Sequence, residues 1–200
     1  MDLTEQPFIV GLGGTLRADS STESALRIAL DAAEAHGART ELFGGSTLAR
    51  LPMYDPDTPN GEDAQRLIES LRLADGVIIA SPGYHGSVSG LVKNALDYAE
   101  ELRQDGNPYL SGRAVGCVTT AYGWQAAVTT LQTLRSIVHA LRGWPTPLGA
   151  AINSGVTRIE YGQQPDERVD FQLRTVGREV CALSRVSRST TEGLAGARSE

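Results

Sequence analysis

The stretch 75-DGVIIASPGYHGSVSGLVKNALDYAE-100 decides how this chain folds. Val77, Ile78, Ile79 and Ala80 form a short apolar run rich in β-branched residues, the mark of a strand covered on both faces. Pro82 and Gly83 end the run, because proline lacks an N–H for a ladder and glycine frees the turn. Apolar residues then recur at helical spacing, so the segment predicts a strand within 75–84, a loop, and a helix over 88–103.

The same strand–loop–helix unit repeats on either side. "PFIVGLGG" (7–14) predicts a buried strand and residues 20–36 a helix, with Gly37 as its stop. "ARTELFG" (38–44) predicts a second strand, 51–60 a proline-rich loop and 62–73 a second helix. "GRAVGCVTTA" (112–121) predicts a fourth strand, 124–142 a long helix, "PLGAAIN" (147–153) a fifth strand and 165–187 a last helix. Residues 189–200 are expected to be a frayed, flexible tail. Alternation of this kind implies a single α/β domain over 1–200, a doubly wound parallel sheet with helices on both faces. Ligands of such sheets bind beyond the carboxyl ends of the strands. The loops after the first, third and fourth strands therefore converge on one edge.

Bulk properties narrow the field. Eighteen basic against 24 acidic residues give a net charge of −6, which disfavours nucleic acid as a partner. No apolar run approaches the roughly 20 residues that span a bilayer. "MDLTEQP" lacks the basic and apolar regions of a signal peptide, so a cytoplasmic location is expected. Cys117 and Cys181 match no metal spacing and are expected to be buried thiols.

The first loop, "GLGGTLRADSST" (11–22), carries an anion-site chemistry. Gly13 and Gly14 allow a tight turn, Thr15, Ser20, Ser21 and Thr22 offer hydroxyls, and Arg17 offers a fork of N–H donors. The following helix points its free N–H groups at the loop. One of the three hydroxyls at 20–22 could instead be a plain helix cap, and Arg17 a solvated side chain. The dinucleotide pattern G-x-G-x-x-G is missing, as is the P-loop G-x-x-x-x-G-K-[ST]. No G-x-S-x-G elbow supports a hydrolase.

The third loop suits a planar heterocycle. Tyr84 can lie along a ring face, while the backbone at His85, Gly86 and Ser87 offers N–H donors to a ring edge. The run Ser81, Pro82, Gly83, Tyr84, His85, Gly86, Ser87, Val88, Ser89, Gly90, Leu91, Val92, Lys93, Asn94, Ala95, Leu96, Asp97 closely resembles the signature S-P-E-Y-[NH]-G-S-x-[PS]-[GA]-x-[LV]-K-N-A-[LI]-D of the NADPH-dependent FMN reductase family. That family includes flavodoxin-like quinone, azo-dye and chromate reductases. The first loop resembles its phosphate loop G-S-x-R-x-x-S, with Thr15 for the usual serine and Arg17 and Ser20 in place. "LPMYDPD" (51–57) resembles its L-P-x-Y-x-x-D segment.

The resemblance implies a flavodoxin-like five-stranded sheet of order 2-1-3-4-5, non-covalent FMN, and NADPH or NADH as co-substrate. It implies that Thr15, Arg17, Ser20, Ser21 and Thr22 hold the FMN phosphate. Pro82, Gly83, Tyr84, His85, Gly86 and Ser87 would hold the ring, and Thr119, Thr120 and Tyr122 line its far side. Electrons would pass to a small-molecule acceptor such as a flavin or quinone, or to a partner monooxygenase, from a homodimer or homotetramer. A flavodoxin-like electron carrier and a biosynthetic FMN enzyme acting on one metabolite are the alternatives. Gly83 departs from the family's glutamate, and the loop after the fourth strand, with Tyr122 and Trp124, departs from its glycine-rich form. Tyr122 and Trp124 could flank the ring or pack at the helix start. His85 is the candidate proton donor, with its backbone expected to matter more than its imidazole. His36 and His139 are expected to be structural, and Lys93 and Asp97 an i,i+4 ion pair.

Overall fold

A computed structural model describes residues 6–196, and the side-chain surroundings of residues up to 187. In chain order the elements are β1 (Phe8–Gly13), α1 (Ser21–Ala35), β2 (Arg39–Phe43), α2 (Gly45–Leu48), α3 (Glu62–Leu73), β3 (Gly76–Tyr84), β4 (Ser87–Val88) and α4 (Gly90–Asp97). A 3-10 turn (Tyr98–Leu102) follows, then β5 (Ala114–Ala121), α5 (Trp124–Ala140), β6 (Trp144–Pro145), β7 (Ala150–Asn153) and α6 (Glu167–Gly196). The sheet runs β2-β1-β3-β5-β6, with β7 also on β5, and these pairings are all parallel. With β6 and β7 sharing the outer position, this is the expected 2-1-3-4-5 order.

Strand alternation divides the core into two layers. Phe8, Val10, Leu12, Val77, Ile79, Val115 and Cys117 face one side, where α3, α4 and α5 supply Leu67, Leu71, Val92, Leu134 and Val138. Ile9, Ile78, Ala80 and Val118 face the other, where α1 and α6 supply Leu26, Ala29, Leu173, Val176 and Val180. Helices α1 and α6 approach so closely that a Cβ on Gly177 would lie 2.0 Å from the Ala29 carbonyl oxygen.

Several boundaries differ from the sequence expectation. The helix expected over 88–103 begins at Gly90, since Ser89 caps it by accepting the Val92 N–H at 3.2 Å, and it tightens into the 3-10 turn after Asp97. Ser87 and Val88 instead form β4, antiparallel to Gly83 and Tyr84. The fifth strand, expected over 147–153, is two short pieces. Pro145 and Pro147 flank the gap, and the Arg135 guanidinium donates to the Thr146 and Pro147 carbonyls there (2.7 and 3.0 Å). An edge position tolerates this interruption because one side of its ladder is unpaired anyway. Helix α6 runs to Gly196, and residues 197–200 of the expected tail lie outside the described residues.

Helix propensity and packing make opposite predictions for Gly177→Ala. Propensity alone would stabilise α6 by about 1 kcal/mol. The contact with the Ala29 carbonyl is backbone and cannot yield, so packing wins. We expect a net loss of about 1–3 kcal/mol, read as a lower urea midpoint at unchanged slope.

Candidate functional site

The carboxyl ends of β1, β3 and β5 border an open cleft of about 410 Å³, within the range of small-molecule sites. Its β1 side is formed by the loop expected to hold an anion. Gly13 and Gly14 have φ of 151° and 124°, where an L side chain is rarely found, and a Cβ on Gly13 would lie 2.0 Å from the Ala80 carbonyl oxygen. The chain can therefore turn out of β1 tightly against β3 only as glycine. Thr15, Arg17, Ser20, Ser21 and Thr22 all line the cleft.

The hydroxyls on this loop do different work. Ser20 is the N-cap of α1 and accepts the Glu23 N–H at 3.2 Å, so the cap reading holds for it while it still borders the cleft. Thr22, buried in the first turn, shares a 2.6 Å hydrogen bond with Thr120 at the end of β5. Two hydroxyls sharing one bond leave one hydrogen free to donate elsewhere. Glu23 reaches across to accept the Gly45 N–H at 2.9 Å and also binds Arg27, which ties the loop after β1 to the loop after β2. Arg17 is exposed, and its backbone N–H is held by the Thr15 hydroxyl at 3.2 Å.

Across the cleft lie Pro82, Gly83 and Tyr84 from β3, and Thr120, Ala121 and Tyr122 from the end of β5. Tyr84 is 55% and Tyr122 88% exposed, so two aromatic rings stand open at the rim. Tyr122 rests on Gly155, whose added Cβ would lie 3.3 Å from its ring. Asn153 fixes this corner by accepting the N–H groups of Gly123 (3.1 Å) and Gly155 (3.0 Å).

Four residues expected at the site are not among those that line the cleft. His85 and Gly86, with φ of 52° and 81°, are the central pair of the tight turn joining β3 to β4. Positive φ at both positions is the primed hairpin turn, which glycine and short polar residues favour. They and Ser87 are exposed and do not line the cleft, and the Gly86 carbonyl accepts the Thr133 hydroxyl at 3.3 Å. Thr119 is fully buried and donates to the Ala127 carbonyl at 2.9 Å. Neighbours on a strand point to opposite faces, so Thr119 and Thr120 cannot both turn toward one ligand. Trp124 is 60% exposed at the start of α5, so helix-start packing is not its role within one chain.

Three cleft residues lacked a sequence signal: Asp19, Ser154 and Arg158. The last two follow β7 and reach the cleft only because β7 pairs with β5. The remaining candidates are structural. The Asn94 amide accepts the Tyr54 N–H and donates to the Pro52 carbonyl, both at 2.8 Å, and so anchors the "LPMY" loop on α4. Lys93 and Asp97 form an exposed ion pair. His36 bonds the Ala32 carbonyl at the end of α1, and His139 is exposed on α5. Burial pushes the Cys117 thiol up to about 12, which excludes a thiolate nucleophile there.

Gly83 has a steric explanation. A Cβ at this position would lie 2.5 Å from Thr130 Oγ1 and 3.1 Å from the Ala121 Cβ. A side chain here would have to displace Thr130 of α5, whereas the family signature carries glutamate.

Residues 7–157 match the family described as NADPH-dependent FMN reductase. An FMN-dependent NADPH-azoreductase from Staphylococcus aureus is 30% identical over 170 residues, covering 80% of this chain and 85% of the relative. Among solved structures, the flavoenzyme NAD(P)H:(acceptor) oxidoreductase FerB from Paracoccus denitrificans superposes with a TM-score of 0.73 at 21% identity, over 90% of this chain and 98% of that one. A flavodoxin, WrbA-like protein from Agrobacterium tumefaciens gives 0.61 at 18% identity, over 92% and 99%. These two likenesses establish the flavodoxin-like fold.

The Gly83 contact predicts a suppressor pair. Gly83→Ala should destabilise by about 1–3 kcal/mol. The Thr130 hydroxyl is buried without a hydrogen-bond partner among the described residues, so Thr130→Val should be neutral or stabilising by up to about 1 kcal/mol. Gly83→Ala combined with Thr130→Ala should recover much of the loss, as thermal unfolding of the three variants would show.

Proposed function

The chain belongs to the NADPH-dependent FMN reductase family, and on that premise we propose that it binds FMN in the cleft over β1, β3 and β5 and oxidises NAD(P)H there, passing the electrons to a small diffusible acceptor. One observation carries the reading: an anion-type loop at a helix N-terminus and two open tyrosines border the same cleft. The glycine turn at Gly13–Gly14 lets a phosphate approach the backbone, and the donors of Thr15, Arg17 and Ser21 suit its oxygens. Pro82, Tyr84 and Tyr122 offer apolar contact area for a flat ring. The cleft thus fits a mononucleotide flavin, and nothing in its loops has the G-x-G-x-x-G pattern of a dinucleotide fold.

When bound, FMN supplies the hydride chemistry, accepting from reduced nicotinamide and giving to the acceptor. The residues of this chain supply position. Arg17 and the α1 N-terminus hold the anionic end. The Thr22–Thr120 pair fixes the first and fourth loops to each other and offers its spare hydrogen to a hydroxyl or anion in the cleft. Tyr84 and Tyr122 stand at the rim, leaving an open face for a second planar ring. His85 lies at a hairpin tip outside the cleft lining, and hydride transfer needs no side-chain acid there.

A relative named as an azoreductase favours a planar azo compound as the class of acceptor. A second copy of the chain would complete the rim. Trp124 and Val128, one turn apart on α5 beside Tyr122, are 60% and 46% exposed and give such a partner an apolar surface.

Two outcomes test the reading. The purified or reconstituted protein should release FMN and no FAD on denaturation, and anaerobic NADPH or NADH should bleach its visible spectrum. Tightly held FAD, or no flavin affinity, would contradict it. Arg17→Ala should weaken FMN binding by roughly tenfold or more, the scale of a lost charged hydrogen bond, and should reduce its salt dependence. Unchanged affinity would show that Arg17 does not hold the phosphate.

A further inference from the structure

We propose that Arg158 is a second guanidinium for the flavin phosphate, held in reserve by Glu160 until the cofactor arrives. The inference rests on the flavin reading above and adds a residue that lies outside every motif in the sequence.

Arg158 lines the same cleft as Arg17, Ser20, Ser21 and Thr22, but it comes from the other side, on the loop after β7. That loop is anchored along its length. The Asn153 carbonyl accepts the Val156 and Thr157 N–H groups at 3.1 and 3.0 Å. Ile159, next to Arg158, is buried at 1% exposure in the α1–α6 layer. Tyr161 donates to Asp31 of α1 at 3.2 Å while Arg27 lies 5.6 Å over its ring. The backbone at residue 158 is therefore fixed between two anchors, and the freedom lies in the long side chain.

The Arg158 side chain is 77% exposed and its only ion pair is with Glu160, itself 32% exposed, among the described residues. Both also line a neighbouring cavity of about 70 Å³ with Gln163, Gln164 and Pro165. Arg158 thus stands on the boundary of two spaces, paired in one and able to enter the other. An exposed ion pair of this kind contributes little, because water screens it and two side chains must be ordered. A guanidinium on a phosphate dianion makes parallel charge-assisted bonds and contributes more. The exchange from Glu160 to phosphate is favourable on that comparison. Asp19 also borders the cleft and adds a negative charge to it, so a dianion held by Arg17 alone would be under-neutralised. Arg158 supplies the missing positive charge.

The test is a titration of FMN and of riboflavin, which lacks the phosphate, into apo-protein carrying Arg158→Ala, Arg158→Lys or Glu160→Gln. Arg158→Ala should weaken FMN roughly tenfold to a hundredfold and leave riboflavin unchanged. Arg158→Lys should recover part of the loss, because the charge remains without the fork. Glu160→Gln should tighten FMN a few-fold by releasing the arginine. Equal losses for FMN and riboflavin would make Arg158 a support of the loop and overturn the proposal. Unchanged FMN affinity would overturn it too, as would a change confined to NADPH over NADH, which would assign the arginine to the nicotinamide cofactor's phosphate. Wild-type protein that binds neither FMN nor riboflavin would overturn the flavin reading itself, a result distinct from all of these.

Discussion

Burial of β3 on both faces is the constraint from which the rest of the molecule follows. Val77, Ile78, Ile79 and Ala80 are all fully buried, two toward each layer. A strand in that position must have parallel neighbours and helices above and below, so the chain crosses over after each strand and every crossover starts at the same edge. The loops at that edge lie outside the core and are free to vary. Their convergence follows from topology, and their composition sets the chemistry.

What makes that edge a site is a small set of hydrogen bonds between loops that are distant in sequence. Thr22 to Thr120 joins the first to the fourth loop, Glu23 to Gly45 joins the first to the second, and Asn153 joins the fourth to the fifth. Each bond contributes on the order of 1 kcal/mol net, but breaking a buried one leaves an unpaired polar group at higher cost. The cleft is therefore held in shape by the protein, and little loop ordering is left for a ligand to drive.

Much of this is legible in local signals. The periodic pattern at 62–73 matches α3 to the residue, and the hydroxyls at 20–22 include the cap of α1, which is Ser20. The signals failed where tertiary geometry decides. Thr119 and Thr120 look alike in sequence, yet strand alternation turns one inward to Ala127 and the other to the cleft. The hairpin tip at His85 and Gly86, with positive φ at both, has no periodic signal in the sequence. The two-piece edge strand hid behind Pro145 and Pro147, and the four-residue α2 is too short to carry a periodic pattern. Ser154 and Arg158 follow a strand with no motif, and only the pairing of β7 with β5 brings them to the cleft.

The central claim is that one cleft, over the ends of β1, β3 and β5, receives the flavin. Amide hydrogen exchange with and without FMN tests it most directly, because protection maps the contact without any assumption about turnover. The account predicts slowed exchange on adding FMN at residues 14–22, 83–84 and 120–123, with α3 and β6 unchanged. Protection that spares the loop after β1, or that falls mainly on α3 and β6, would contradict it.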